Sequence, residues 1–150
     1  MRPNLRMVDV SKKAITERKA TARGSVVMKP ATLKAVKEAK LPKGDALAAA
    51  KIAGIMAAKS TSSLLPMCHP VLIEEVTIDF EMNPGTDSVE ITCSVKGSGK
   101  TGYEMEAMTG VAVAALTVYD MCKSIDAGVK INNIRLTRKS GGKSGTVVLE

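Results

Sequence analysis

Tryptophan is absent, and only three aromatic side chains, Phe80, Tyr103 and Tyr119, occur in 150 residues. Proteins that read RNA or single strands stack bases on aromatic rings, so this scarcity argues against a nucleic-acid partner. Cysteine is equally sparse. Cys68, Cys93 and Cys122 are widely spaced, form no Cys-x-x-Cys pair and have a single histidine, His69, to accompany them. Neither a disulfide framework nor a metal site is expected from that set. No apolar run approaches the roughly 20 residues that a bilayer crossing needs. The start, Met1-Arg2-Pro3-Asn4-Leu5-Arg6, lacks the apolar core of a signal peptide. The expectation is a soluble, cytoplasmic chain with no membrane partner. Repeats, low-complexity tracts and Pro/Ser linkers are missing too, so residues 1–150 read as one domain with 1–6 as a loose tail.

What is present suits a packed core: 45% of residues are hydrophobic and 25% charged. The net charge of +7 is uneven, because residues 1–40 hold eleven Lys or Arg against Asp9, Glu17 and Glu38. Between Ser60 and Val95 there are six acids and no Lys or Arg. A basic footprint for nucleic acid is therefore not required by the charge alone.

Local patterns give an element order. Gly24–Met28 is short and β-branched and reads as a strand; after Pro30 a helix runs through Leu33, Val36 and Ala39. Asp45 is a candidate N-cap for a second helix from Ala46 to Ser63. Val76, Ile78, Phe80 and Met82 alternate with polar residues, as do Val89, Ile91, Cys93 and Val95, and 83–87 joins these two strands as a hairpin. Thr101 and Glu104 have capping-box spacing before a long helix carrying Met105, Met108, Ala112, Ala115, Tyr119 and Cys122. A last strand spans Val129–Arg138. The order β, α, α, β, β, α, β predicts an α+β fold of the ferredoxin-like, split βαβ type, with an antiparallel sheet packed on helices and one extra helix.

Three segments invite a chemical reading. Gly97-Ser98-Gly99-Lys100-Thr101 imitates a phosphate-binding P-loop, but Ser94 stands where the pattern needs glycine, and the alternating βαβ units of that fold are missing. Lys139-Ser140-Gly141-Gly142-Lys143-Ser144-Gly145 leaves two readings, a solvated tail or a basic loop wrapped on a phosphate. Leu65-Pro66-Met67-Cys68-His69-Pro70 holds the only histidine between two prolines that fix the backbone, although an isolated loop histidine is more often structural.

The long helix adds Glu104 and Glu106 near its start and Asp120 and Lys123, three residues apart, near its end. Glu106 and Asp120 are 14 residues apart, which at 1.5 Å per residue is about 21 Å. One small substrate does not touch both within one subunit, so a site using both would be shared between copies.

Six segments in order carry a resemblance: Met7-Val8-Asp9-Val10-Ser11, Lys43-Gly44-Asp45, Met67-Cys68-His69-Pro70, Lys100 to Ala107, Tyr119 to Lys123 and Lys139 to Gly145. The chain resembles the molybdenum cofactor biosynthesis protein C family, whose members are cyclic pyranopterin monophosphate synthases. The resemblance implies a lyase that converts 3′,8-cyclo-7,8-dihydroguanosine 5′-triphosphate to cyclic pyranopterin monophosphate and releases pyrophosphate. It also implies a homohexamer built as a trimer of dimers, with active sites between subunits.

Carried over by motif, Asp120, Lys123 and Lys43 match the acid and lysines of catalysis, joined by His69 for ring contacts or proton transfer. Met67, Cys68, His69, Glu104, Met105 and Glu106 match substrate contacts, and Lys51, Lys59, Arg18, Lys139 and Lys143 are expected phosphate partners. No resident cofactor is implied, although Mg²⁺ can accompany the triphosphate. Two positions depart from the family pattern: Met67 stands where leucine is frequent, and Tyr103 where a small apolar residue is more usual.

Overall fold

Small inward residues begin the central strand, β1 (Thr16–Val27), where Ala20, Ala22, Gly24 and Val26 are buried between polar neighbours. In the computed structural model, which describes residues 1–150, β1 is followed by α1 (Pro30–Lys37), α2 (Ala46–Lys59), a single turn α3 (Thr61–Leu64), and the hairpin β2 (Glu75–Asn83) and β3 (Ser88–Gly99). The long helix α4 (Glu104–Cys122), β4 (Lys130–Ser140) and a short β5 (Val147–Val148) complete the chain. The sheet order is β2-β3-β1-β4-β5, antiparallel at every step. β3 separates β1 from β2 and β1 separates β3 from β4, which is the ferredoxin-like split arrangement; α1, α3 and β5 are additions to it.

The helices cover one face of this sheet. Val89, Ile91, Cys93 and Val95 of β3 are fully buried and meet Ala107, Val111, Ala114 and Val118 of α4. Each of the larger side chains stabilises the fold by roughly 1.5–3 kcal/mol on burial. α2 crosses α4 where Gly54 faces Gly110: a Cβ on Gly54 would stand 2.9 Å from the Gly110 carbonyl, and one on Gly110 only 2.7 Å from Cys93 Sγ. Alanine at either place forces the layers apart. The buried Asp126 carboxylate accepts from Lys29 N–H at 2.9 Å, Thr32 Oγ1–H at 3.0 Å and Gly128 N–H at 3.0 Å. It thereby ties the chain beyond α4 to the start of α1, whose N-cap residue, Lys29, supplies no side-chain bond of its own. These donors, the Lys29 N–H foremost, hold Asp126 below the usual carboxylate range.

Several expectations need correction. β1 begins at Thr16, eight residues before the expected start at Gly24, because its inward residues are small rather than bulky. The second helix does not run to Ser63: α2 ends at Lys59 and α3 follows after Ser60. Asp45 does cap α2, accepting from Leu47 and Ala48 N–H at 3.0 and 3.1 Å. The capping box is not formed. Helix α4 starts at Glu104 behind Tyr103, with no side-chain cap bond, and the Glu104 carboxylate pairs with Lys139 Nζ at 3.0 Å. The Gly-rich basic segment is the ordered connection from β4 to β5, turning through positive φ at Gly141, Gly142 and Gly145. Finally, the 19-residue α4 is long and apolar enough to span a bilayer by composition, contrary to the expected absence of such a run; its buried face is the core of this fold.

Candidate active site

The start of α4 and the loop after α3 line an open cleft of about 330 Å³. Met67, Cys68 and His69 form one wall, and Thr101, Gly102, Glu104, Met105 and Glu106 the other. The sequence placed these two segments in one site only through the family resemblance; the fold brings them together because β3 delivers the chain to α4 beside the loop that enters β2. Glu106 is only 4% exposed. Burial pushes its carboxyl above the usual range, its own N–H offsets part of this, and the negative charge of Glu104 adds to the upward push. Cys68 is also shifted upward, by burial first and then by Glu106, so it is a thiol rather than a thiolate nucleophile at neutral pH.

A second, narrow cavity of about 40 Å³ shares Gly102 and Glu104 with the first and adds Arg18, Lys139 and Lys143. Arg18 Nε donates to the Gly99 carbonyl at 3.2 Å. Gly142, at φ +70°, lets the β4–β5 loop close on Arg18, since a Cβ there would stand 2.6 Å from a guanidinium nitrogen. Three of the expected phosphate partners thus gather at one end of the main cavity. The other two do not: Lys51 and Lys59 are exposed on α2 and line neither cavity.

At the far end of α4, Asp120 bridges two lysines. Its Oδ2 lies 2.7 Å from Lys43 Nζ and its Oδ1 2.9 Å from Lys123 Nζ. The i,i+3 spacing foretold the Lys123 contact, whereas Lys43 arrives from the turn before α2. Hydrogen bonds from Lys43 and then Lys123 hold Asp120 below the usual carboxylate range, and the bond to Asp120 holds Lys123 above the usual lysine range. The group is open to solvent, with Asp120 51% and Lys123 56% exposed, and no larger cavity reaches it. An exposed, paired Lys123 is therefore a cation in this chain, not the desolvated base that burial would create.

Two further groups, Lys100 and Asp9, lie in the segments that carry the resemblance but were not assigned a role in the site. Lys100 Nζ donates to the Ser11 carbonyl at 3.0 Å. Asp9 is held low mainly by the Ser11 N–H, 2.8 Å away, with smaller contributions from the charges of His69 and Lys100. The 7–11 block thus lies near His69, and its appearance among the shared segments was the only signal for it. No three His, Cys, Asp or Glu side chains gather closely enough to hold a metal ion.

The MoaC family model matches residues 7–142. A cyclic pyranopterin monophosphate synthase of Parvibaculum lavamentivorans is 56% identical over 140 residues, covering 93% of this chain and 88% of the relative. The enzymes of that name from Desulforamulus reducens and Roseiflexus castenholzii are 56% and 55% identical, covering 98% and 97% of this chain and 89% and 92% of their own lengths. The family match spans the cavity-lining segments and the Asp120 cluster alike, and the chain belongs to the MoaC family.

Proposed function

We propose that this protein is a lyase of molybdenum cofactor biosynthesis, converting 3′,8-cyclo-7,8-dihydroguanosine 5′-triphosphate to cyclic pyranopterin monophosphate and pyrophosphate. The family membership supplies the reaction. The observation that carries its assignment to these residues is Asp120 held between Lys43 and Lys123 at 2.7 and 2.9 Å. Cyclic phosphate formation expels a highly charged leaving group, and fixed cations stabilise charge as it develops there. Rearrangement of the guanine-derived ring needs proton donors and acceptors. Lys123, kept as an ammonium by Asp120, is the donor, with Lys43 beside it; Asp120 orients both. In the cavity, His69 and Glu106 face the ring, and burial suits Glu106 to exchange a proton nearer neutrality than an ordinary carboxylate does. Arg18, Lys139 and Lys143 receive the triphosphate, with any Mg²⁺ arriving as part of the substrate.

Cavity and lysine cluster sit at opposite ends of a helix, about 21 Å apart by its rise. A second copy of the chain brings them together. The exposed apolar residues Ile52 and Met56 of α2 and Leu116 of α4, 62%, 61% and 56% accessible, offer a surface for it. We assign the working enzyme to a homohexamer, a trimer of dimers, in the cytoplasm, where its three unpaired cysteines suit a reducing compartment. Lys51 and Lys59 reach a substrate only from such a neighbouring copy.

The test is pyrophosphate release and pterin formation by the purified protein given the cyclised nucleotide, with GTP and ATP in parallel. Turnover of the cyclised nucleotide alone is expected. A folded oligomer that turns over none of the three, with Mg²⁺ present, contradicts the proposal.

A further inference from the structure

Tyr103 is 1% exposed and precedes the first residue of α4. Its hydroxyl donates to the Leu72 carbonyl, 2.6 Å away and 31 residues distant in sequence. The Leu72 side chain is 84% exposed, so burial of that side chain does not hold the segment in place; its backbone is what the fold grips. Two residues further on, the Glu74 N–H donates to the Lys96 carbonyl at 2.9 Å and ends the loop on β3. Across the phenol stands Gly97, where a Cβ would come 2.4 Å from the tyrosine oxygen and 2.6 Å from the Leu72 carbonyl. Glycine at 97 leaves the space in which this bond forms.

The bond joins the two walls of the cavity. Tyr103 is continuous with Glu104, Met105 and Glu106, and Leu72 is continuous through Pro70 with Met67, Cys68 and His69. We infer that Tyr103 is a positioning residue whose hydroxyl fixes the gap between the His69 wall and the Glu106 wall, and with it the fit of the ring that binds there. Burial favours the protonated phenol, which keeps the donor in place across the working pH range. The inference rests on the proposed reaction for what fills the cavity, not for the pin itself.

Tyr103→Phe removes one oxygen and keeps the ring, so the core stays filled. Two readouts separate positioning from general stability. Steady-state turnover of the cyclised nucleotide should show KM raised about tenfold with kcat within about twofold, the size expected for losing one buried hydrogen bond that orders a wall. Backbone amide exchange should accelerate about tenfold at residues 68–74 and stay unchanged at Ile91 and Val111 in the core. Gly97→Ala, which crowds the same bond while leaving both partners' side chains unchanged, should accelerate exchange at the same loop. Unchanged exchange at 68–74 in both variants, or equal acceleration in the core, overturns the pin, as does an unaltered KM in an active Tyr103→Phe enzyme. If the unmodified protein turns over nothing, the proposed reaction fails, and the exchange comparison still decides the pin.

Discussion

The two ends of α4 offer a substrate opposite things. At its start there is a cleft with a buried carboxyl, only 4% exposed at Glu106, and the cations Arg18, Lys139 and Lys143 at one side. At its end there are two lysines on one carboxylate, more than two-fifths of each side chain open to water. The helix dipole suits both, favouring Glu104 and Glu106 at the positive end and Lys43 and Lys123 at the negative end. The pocket end lacks Lys43 and Lys123, and the Lys43–Asp120–Lys123 group lacks a pocket. The difference is what motivates the proposal that two copies of the chain share one site.

The sharpest way to break the comparison is at the exposed end. Lys123→Ala should lower kcat by at least about a thousandfold, within the range expected for a positioned proton donor, with no change in thermal unfolding because the side chain is exposed. Steady-state kinetics beside a melting curve check both halves of that statement; an active variant removes Lys123 from the mechanism.

The cleft end should behave differently. Glu106 is raised above its unfolded value by burial, so its ionisation opposes folding: the penalty is absent below the unfolded pKa near 4.3 and fully present above the raised folded one. Glu106→Gln should therefore raise Tm at pH 8 and leave it unchanged at pH 4, while activity is lost. Equal Tm shifts at the two pH values contradict burial as the cause.

A control away from both ends sharpens the contrast. Asp126 is lowered by its donors, so it contributes stability above its unfolded pKa that is lost as pH falls through the folded value. Asp126→Ala should cost about 2 kcal/mol near neutrality and should lose less further stability than the unmodified chain on acidification from about pH 5 downward. Denaturant melts at several pH values measure this, and a constant difference across them would assign the cost to shape rather than charge.

Residue pattern made some of this legible. The alternation in β2 and β3, the Asp45 cap and the body of α4 follow from periodicity and capping chemistry. Residues 16–23 of β1 did not, because their buried positions Ala20 and Ala22 are small; next to them a Cβ on Gly24 would meet Val111 at 2.7 Å, so α4 demands small residues where a strand signal needs large ones. The capping box failed for a tertiary reason, since the Glu104 carboxylate goes to Lys139 instead. The site shows the same division. Asp120 and Lys123 are neighbours by helical spacing, but Lys43 on the same carboxylate, and Arg18 closed under Gly142, depend on contacts between distant segments.

The most direct test of a shared site mixes two dead proteins. Lys123→Ala lacks the exposed end and Glu106→Gln the cleft end, so a mixed dimer holds one intact site and one doubly damaged one. Co-expressed in equal amounts and purified as mixed oligomers, the pair should recover about a quarter of the unmodified specific activity, the value expected for random pairing in a two-fold dimer. Mixed oligomers as inactive as either parent would contradict the claim that the site is built from both ends of α4 in different copies.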